Sequence, residues 1–131
     1  MTAGLIGARD VYTADECRRL NALGDSLRER LNERGRTLNI GFQATGIGGV
    51  LTTHWHDLPI MDPRQIEAPD SARRRLFHLE LMERGFYIAP RGMINLSLPM
   101  VEDDVAGFMT AIGDYLTEHA DILRYDTQAR G

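Results

Sequence analysis

The sequence predicts an α+β domain: a two-layer sandwich in which a small, mainly antiparallel three-stranded sheet carries amphipathic helices on one face. Three observations lead there. Apolar residues recur at three- and four-residue steps in three separate stretches, which is the spacing of a buried helix face. Between those stretches lie short runs rich in Ile, Val, Thr, Phe and Trp, punctuated by glycine and proline. The resulting order is helix, helix, strand, strand, helix, short strand, strand, helix, and helices gathered on one side of a small sheet is the packing that order favours. With 131 residues, 43% of them apolar, the chain has the size of one domain whose core needs neither disulfide nor structural metal.

Each element has its own signals. Residues 1–12 have apolar residues on a helical spacing, but Gly4 and Gly7 each weaken a helix by about 1 kcal/mol against alanine. The segment is predicted to be a weak helix. Thr13-Ala14-Asp15-Glu16 is a capping box and starts a helix over about 14–34. Cys17, Leu20, Leu23, Leu27 and Leu31 form its apolar face, and Gly35 is placed to end it in the left-handed conformation. From Leu38 to His56 two strands are predicted around the turn Gly46-Ile47-Gly48-Gly49. Leu58 to Pro69 holds three of the prolines and reads as an exposed connection. A helix follows from about Asp70, its N-cap, through Arg84, closed by Gly85. Phe86-Tyr87-Ile88 and Met93 to Leu98 read as extended pieces flanking Ala89-Pro90-Arg91-Gly92. The last helix is predicted over about 101–119, with Glu102, Asp103 and Asp104 on its positive end. The tail, 121–131, shows no clear period and is predicted to fray.

Composition excludes several function classes. Fifteen basic against nineteen acidic residues give a net charge of −4, so no overall positive field draws in nucleic acid or anionic lipid. All the basic residues are arginine, and no lysine is present. Within these residues that rules out an ε-amino group as Schiff-base former or general base. Cys17, the single cysteine, has no disulfide partner and falls on the apolar face of a helix, which suits a packing role in a reducing compartment. No apolar run has membrane-spanning length and the N-terminus lacks a signal-peptide layout, so neither membrane nor nucleic acid is an expected partner and the cytoplasm is the expected location.

Two groups of residues suggest chemistry. In Thr53-His54-Trp55-His56-Asp57 the two histidines share a strand face, so both could ligate one metal if Asp57, His78 or Glu80 supplied a third ligand. The spacing does not place that third ligand, and histidines at the end of a strand are the simpler reading. No metal site is therefore assigned. Arg91, held between Pro90 and Gly92, is the better candidate, because a constrained loop can aim a guanidinium at a carboxylate with bidentate geometry. Arg73, Arg74 and Arg75 read as a solvated helix face. The glycine run at 46–49 lacks the Lys-Ser/Thr of a phosphate loop and precedes a strand where such a loop precedes a helix.

From Leu79 to Gly92 the chain reads Leu-Glu-Leu-Met-Glu-Arg-Gly-Phe-Tyr-Ile-Ala-Pro-Arg-Gly. It resembles the C-terminal small domain of class III, fold type I, aminotransferases, in the glutamate-1-semialdehyde 2,1-aminomutase-like branch. There, too, a helix ends in Gly-aromatic-Tyr-Leu/Ile-Ala-Pro, followed by a strand and an acidic helix start; here these are Ile94 to Leu98 and Glu102-Asp103-Asp104. Met1-Thr2-Ala3-Gly4, Thr13 to Leu31 and Gly46 to Thr53 resemble the preceding elements in the right order, so the likeness covers nearly the whole chain.

The resemblance implies that 1–12 is a linker helix from a missing large domain, 13–120 the small domain and 121–131 a tail. It implies that pyridoxal phosphate serves the full enzyme, with its Schiff-base lysine, pyridine-nitrogen aspartate and main phosphate-binding segments in the large domain. The chain alone is then not catalytic and binds no cofactor. Its expected partners are the large cofactor-binding domain or a second copy of itself. In the family this domain closes over the substrate, and in some amino-acid-specific branches an arginine matching Arg91 binds a substrate carboxylate. Aminomutases commonly have serine after the Ala-Pro pair, so Arg91 tilts the reading toward a transaminase of a carboxylated amine. The rival expectation, from another class, is a free-standing interaction or regulatory module that kept the small-domain fold.

Overall fold

The computed structural model describes residues 2–66 and 71–128, with side chains described through Arg124. Its order is α1 (Thr2–Ile6), a π-type turn (Gly7–Val11), α2 (Ala14–Leu38), β1 (Phe42–Ile47), β2 (Val50–Trp55), a 3₁₀ turn (Pro63–Gln65), α3 (Ala72–Glu83), β3 (Met93–Asn95), α4 (Glu102–Glu118) and α5 (Ala120–Gln128). The sheet is β1-β2-β3, antiparallel throughout. This is the expected α+β architecture.

The sheet's pleat decides which residues meet the helices. Phe42, Ala44, Leu51, Trp55 and Ile94 are buried together with Leu27 and Leu31 of α2, Phe77 and Leu81 of α3, and Ile112, Tyr115 and Leu116 of α4. At the centre Phe42, Trp55, Phe77 and Tyr115 pack ring against ring. Their centroids lie 5.0 Å apart for Phe42–Trp55, 5.6 Å for Trp55–Phe77 and 5.3 Å for Phe77–Tyr115. Tilted and edge-on pairs of this kind each add about 0.5–1.5 kcal/mol beyond the area they bury.

Helix α2 runs past the end the glycine signal suggested. Thr13 caps it as expected, its hydroxyl accepting from the Glu16 amide at 3.3 Å. The Glu16 carboxylate does not close the box, because it pairs instead with Arg19 at 3.0 Å. Gly35 lies inside the helix and Asn39, with φ of 52°, takes the left-handed position. The reason is packing: a Cβ on Gly35 would stand 2.1 Å from the Phe42 carbonyl oxygen, and one on Gly24 would stand 1.9 Å from the Gly48 carbonyl oxygen. Both glycines seat the helix against the β1–β2 hairpin. Asn32 then clamps β1 at both backbone groups of Ala44, at 2.7 and 3.0 Å.

Other boundaries shift for similar reasons. Ser71 caps α3 through its hydroxyl at 3.3 Å; the expected cap, Asp70, lies outside the described residues, as does Pro69. Phe86-Tyr87-Ile88 is not a strand, since none of the described strands pairs with it. Phe86 instead closes α3 by donating to the Leu81 carbonyl at 2.9 Å, and Ile88 is buried. Strand β3 stops at Asn95, before the turn in which Met100 donates to the Ser97 carbonyl at 3.0 Å. The expected tail is helical over Ala120–Gln128, with Leu123 buried in the core, while residues 129–131 lie outside the described part. Cys17 is half-buried rather than in the core. No described helix is long and apolar enough to cross a membrane.

Candidate functional site

Arg91 stands on a turn that the sheet fixes from below. The Gly92 amide donates to the Ala89 carbonyl at 2.8 Å, and the Ala89 amide donates to the Met93 carbonyl at 3.1 Å. The Gly92 carbonyl accepts twice from Thr53 of β2, from its amide at 2.8 Å and from its hydroxyl at 3.1 Å. Thr53 is itself fully buried. Only glycine suits position 92, where φ is 83° and a Cβ would stand 2.5 Å from the Thr53 hydroxyl oxygen. The consequence is a fixed main chain beneath an exposed side chain. The Arg91 guanidinium makes no hydrogen bond or ion pair with any described residue.

Arg74 corrects the reading of the 73–75 run as a solvated face. Arg75 is exposed and Arg73 half-buried, but Arg74 is only 4% exposed, and its guanidinium donates to the Arg91 carbonyl oxygen. The signal was in the spacing. Arg74 precedes the buried Phe77 by three residues and the buried Leu81 by seven, so it belongs to their face of the helix.

His54, His56 and His78 do not come together as a ligand set among the described residues. His54 lies on the sheet face away from the core helices yet is only 4% exposed, and its Nε2 is 2.8 Å from the Thr45 hydroxyl across the strand pair. Its Nδ1 has no partner among the described residues. Burial, aided by the positive charge of Arg74, pushes its pKa down to about 4, so the ring is neutral at ordinary pH. His56, past the end of β2, turns its Nδ1 toward the Leu58 backbone at 2.9 Å. The His78 Nδ1 lies 2.9 Å from the Ile88 carbonyl. Glu80 is drawn elsewhere, to Arg84 and toward His119. Glu80, Glu118 and His119 do lie together, but the Arg84 guanidinium already holds both carboxylates, which supplies the cation such a group would need. An apolar groove of about 540 Å³ runs beside Ile88, Ile94, Leu96 and Phe108, and neither Arg91 nor any histidine lines it.

No protein-family model matches the sequence. Individual proteins do. The chain is 30% identical over 123 residues to the beta-phenylalanine transaminase of Variovorax paradoxus, covering 94% of this chain and 28% of that protein. It is 30% identical over 106 residues to the glutamate-1-semialdehyde 2,1-aminomutase of Anaeromyxobacter dehalogenans, covering 79% and 25%. Among solved structures, the beta-phenylalanine aminotransferase from Variovorax paradoxus superimposes with a TM-score of 0.87 at 30% identity, over 92% of this chain and 28% of that one. An omega-transaminase from Sphaerobacter thermophilus gives 0.76 at 35% identity, over 88% and 26%. A glutamate-1-semialdehyde-aminomutase from Pseudomonas aeruginosa, bound to PMP, gives 0.78 at 19% identity, a likeness of fold alone. The chain thus spans about a quarter of the length of the proteins it matches.

Proposed function

We propose that this chain, which is related to the class III aminotransferases and glutamate-1-semialdehyde aminomutases and matches their C-terminal small domain, closes over the substrate of a transaminase and binds that substrate's carboxylate through Arg91. One observation carries the reading: a guanidinium with no partner of its own among the described residues, exposed on a turn that Thr53 and Gly92 fix to the sheet. A free cation costs little to bring to a carboxylate when its backbone is already ordered, and a guanidinium offers two parallel donors to the two oxygens. The transaminase side of the family is favoured because Arg91 stands where the aminomutases commonly have serine, and beta-phenylalanine, in the name of a matched relative, is a carboxylated amine that such an arginine could hold.

Pyridoxal phosphate in the assembled enzyme supplies the amine-transfer chemistry. The residues present do not fit its covalent attachment, because none is lysine; that group has to come from chain outside these 131 residues. The role left to this chain is to bind and orient the carboxylate and to shield the site from water. Its partner in this reading is the large cofactor-binding part of the enzyme, reached through residues 2–12, and the assembly works in the cytoplasm.

The test is substrate discrimination in the assembled enzyme. Arg91→Ala is expected to lower kcat/KM by about 10- to 100-fold for an amine bearing a carboxylate, the scale of one lost charge-assisted contact, and to leave the same amine without its carboxylate nearly unchanged. Equal losses on both substrates, or none on either, would contradict the assignment.

A further inference from the structure

The geometry points to Arg74 as the positioning residue for Arg91: its buried guanidinium ties the turn to α3 and so fixes where the carboxylate is received. This rests on the carboxylate role proposed for Arg91.

Three observations support it. First, Arg74 is 4% exposed, and arginine is almost never that deeply buried unless the structure uses its charge or its donors. Second, one use of those donors is specific, because Arg74 Nη1 donates to the carbonyl of Arg91, the residue whose side chain is free. Third, Arg74 completes a set of anchors that converge on two consecutive carbonyls. Thr53 holds the Gly92 carbonyl from β2 with its amide and its hydroxyl, and Arg74 holds the Arg91 carbonyl from α3. With φ of 83° at Gly92 and a left-handed bend available only to glycine there, the peptide between the two residues is oriented from both sides.

The surroundings keep Arg74 in that role. His54, the adjacent titratable group on β2, is held neutral by burial and by the charge of Arg74 itself, so it does not compete as a second cation at neutral pH. The site is packed as well as bonded: Gly92 approaches both the Thr53 hydroxyl and Arg74 Nη1, at 2.5 and 3.7 Å from where its Cβ would stand. A neutral side chain of similar length at 74 would fill the space and leave the Arg91 carbonyl without this donor, freeing the turn to rotate about Arg91.

Two measurements separate this inference from the reading it rests on. In the assembled enzyme, the ratio of kcat/KM for a carboxylated amine to that for the same amine without the carboxylate is compared for Arg74→Met, Arg74→Lys and Arg91→Ala. In the 131-residue chain, ¹⁵N relaxation reports the order of the Arg91 and Gly92 amides, and circular dichroism reports folding. Arg74→Met is expected to lower the ratio about 10-fold or more through KM, since displacement of a binding group by an ångström is enough for that, and to loosen both amides while the fold remains. Arg74→Lys, which keeps the charge and one donor, is expected to recover most of both. If Arg74→Met does not fold, Arg74→Lys decides alone, with a ratio about 3-fold below the parent and a partly loosened turn. An unchanged ratio with amides as rigid as in the parent would overturn the inference, as would equal loss on both substrates. If Arg91→Ala leaves the ratio unchanged, the carboxylate reading falls. The hold on the turn is then judged by the amides: looser in Arg74→Met supports it, unchanged overturns it.

Discussion

Four glycines in the first 35 residues lie in helix or helix-like turns, and they divide into two kinds. Gly24 and Gly35, in α2, are buried against the hairpin so closely that a Cβ would overlap the carbonyls of Gly48 and Phe42; Gly4 and Gly7, before α2, have nothing within 4 Å of where a Cβ would stand. The first pair lets a 25-residue helix lie on backbone, and Asn32 and Arg28 then reach the strand through hydrogen bonds to Ala44 and Gly46. The second pair belongs to a segment with Leu5 62%, Val11 54% and Tyr12 49% exposed and no buried residue. A helical glycine thus marks a close approach only where something approaches. Around Gly4 and Gly7 nothing among the described residues does, and in the docking role proposed for residues 2–12 the exposed Leu5 and Val11 are what a partner would cover.

The largest expected effect breaks the first half of that contrast. Gly24→Ala and Gly35→Ala each put a methyl group into a backbone carbonyl, so the gain in helix propensity is outweighed and stability falls by about 3 kcal/mol. Chemical denaturation should show the loss with little change in slope. A neutral result at either position would mean the helix and hairpin are not in contact there.

The opposite face of the same sheet responds to pH. The His54 ring titrates near 6.5 when unfolded and at about 4 when folded, so between those values the unfolded chain binds more protons. Its contribution is complete above pH 6.5 and is lost as pH falls toward 4, by about 3 kcal/mol in all. Comparing the chain with His54→Gln between pH 7 and 5 isolates this: the parent should lose stability more steeply, and parallel curves would show that the face is wet.

The smallest effect falls on the other pair. Gly4→Ala and Gly7→Ala should each add up to about 1 kcal/mol of local helix stability, seen as slower amide exchange over residues 2–11. The main unfolding transition should not move, because no described residue of that segment is buried in the core.

Much of this was legible in the sequence, and what was not shares a cause. The apolar steps from Leu20 to Leu31 and from Val105 to Leu116, and the β-rich residues around Gly48-Gly49, place α2, α4 and the hairpin because those signals are local. The end of α2 was misread at Gly35, since a glycine needed for a close approach and one needed for a left-handed turn look alike until the packing is known. Phe86-Tyr87-Ile88 has strand-forming residues but no facing strand among the described residues, and a ladder requires one. Arg74 escaped notice between two other arginines, although its spacing to Phe77 and Leu81 put it on the buried side. Arg91 is singled out as a candidate by its constrained neighbours, Pro90 and Gly92; its anchors on Thr53 and Arg74 come from β2 and α3 and have no local signature.

The proposal that residues 2–12 dock onto the rest of an enzyme, while the domain from Thr13 onward folds without them, is tested most directly by amide exchange in two settings. In the 131-residue chain the amides of Leu5, Ile6 and Val11 should exchange almost as fast as in an unfolded peptide while those of Leu27, Leu31 and Ile112 stay protected, with sedimentation recording whether the chain is monomeric. In the enzyme assembled with its cofactor-binding part, Leu5, Ile6 and Val11 should become protected. Protection of these three amides in a compact monomer of the isolated chain would show that the segment folds back onto its own domain, and the account of it as a docking segment would be wrong.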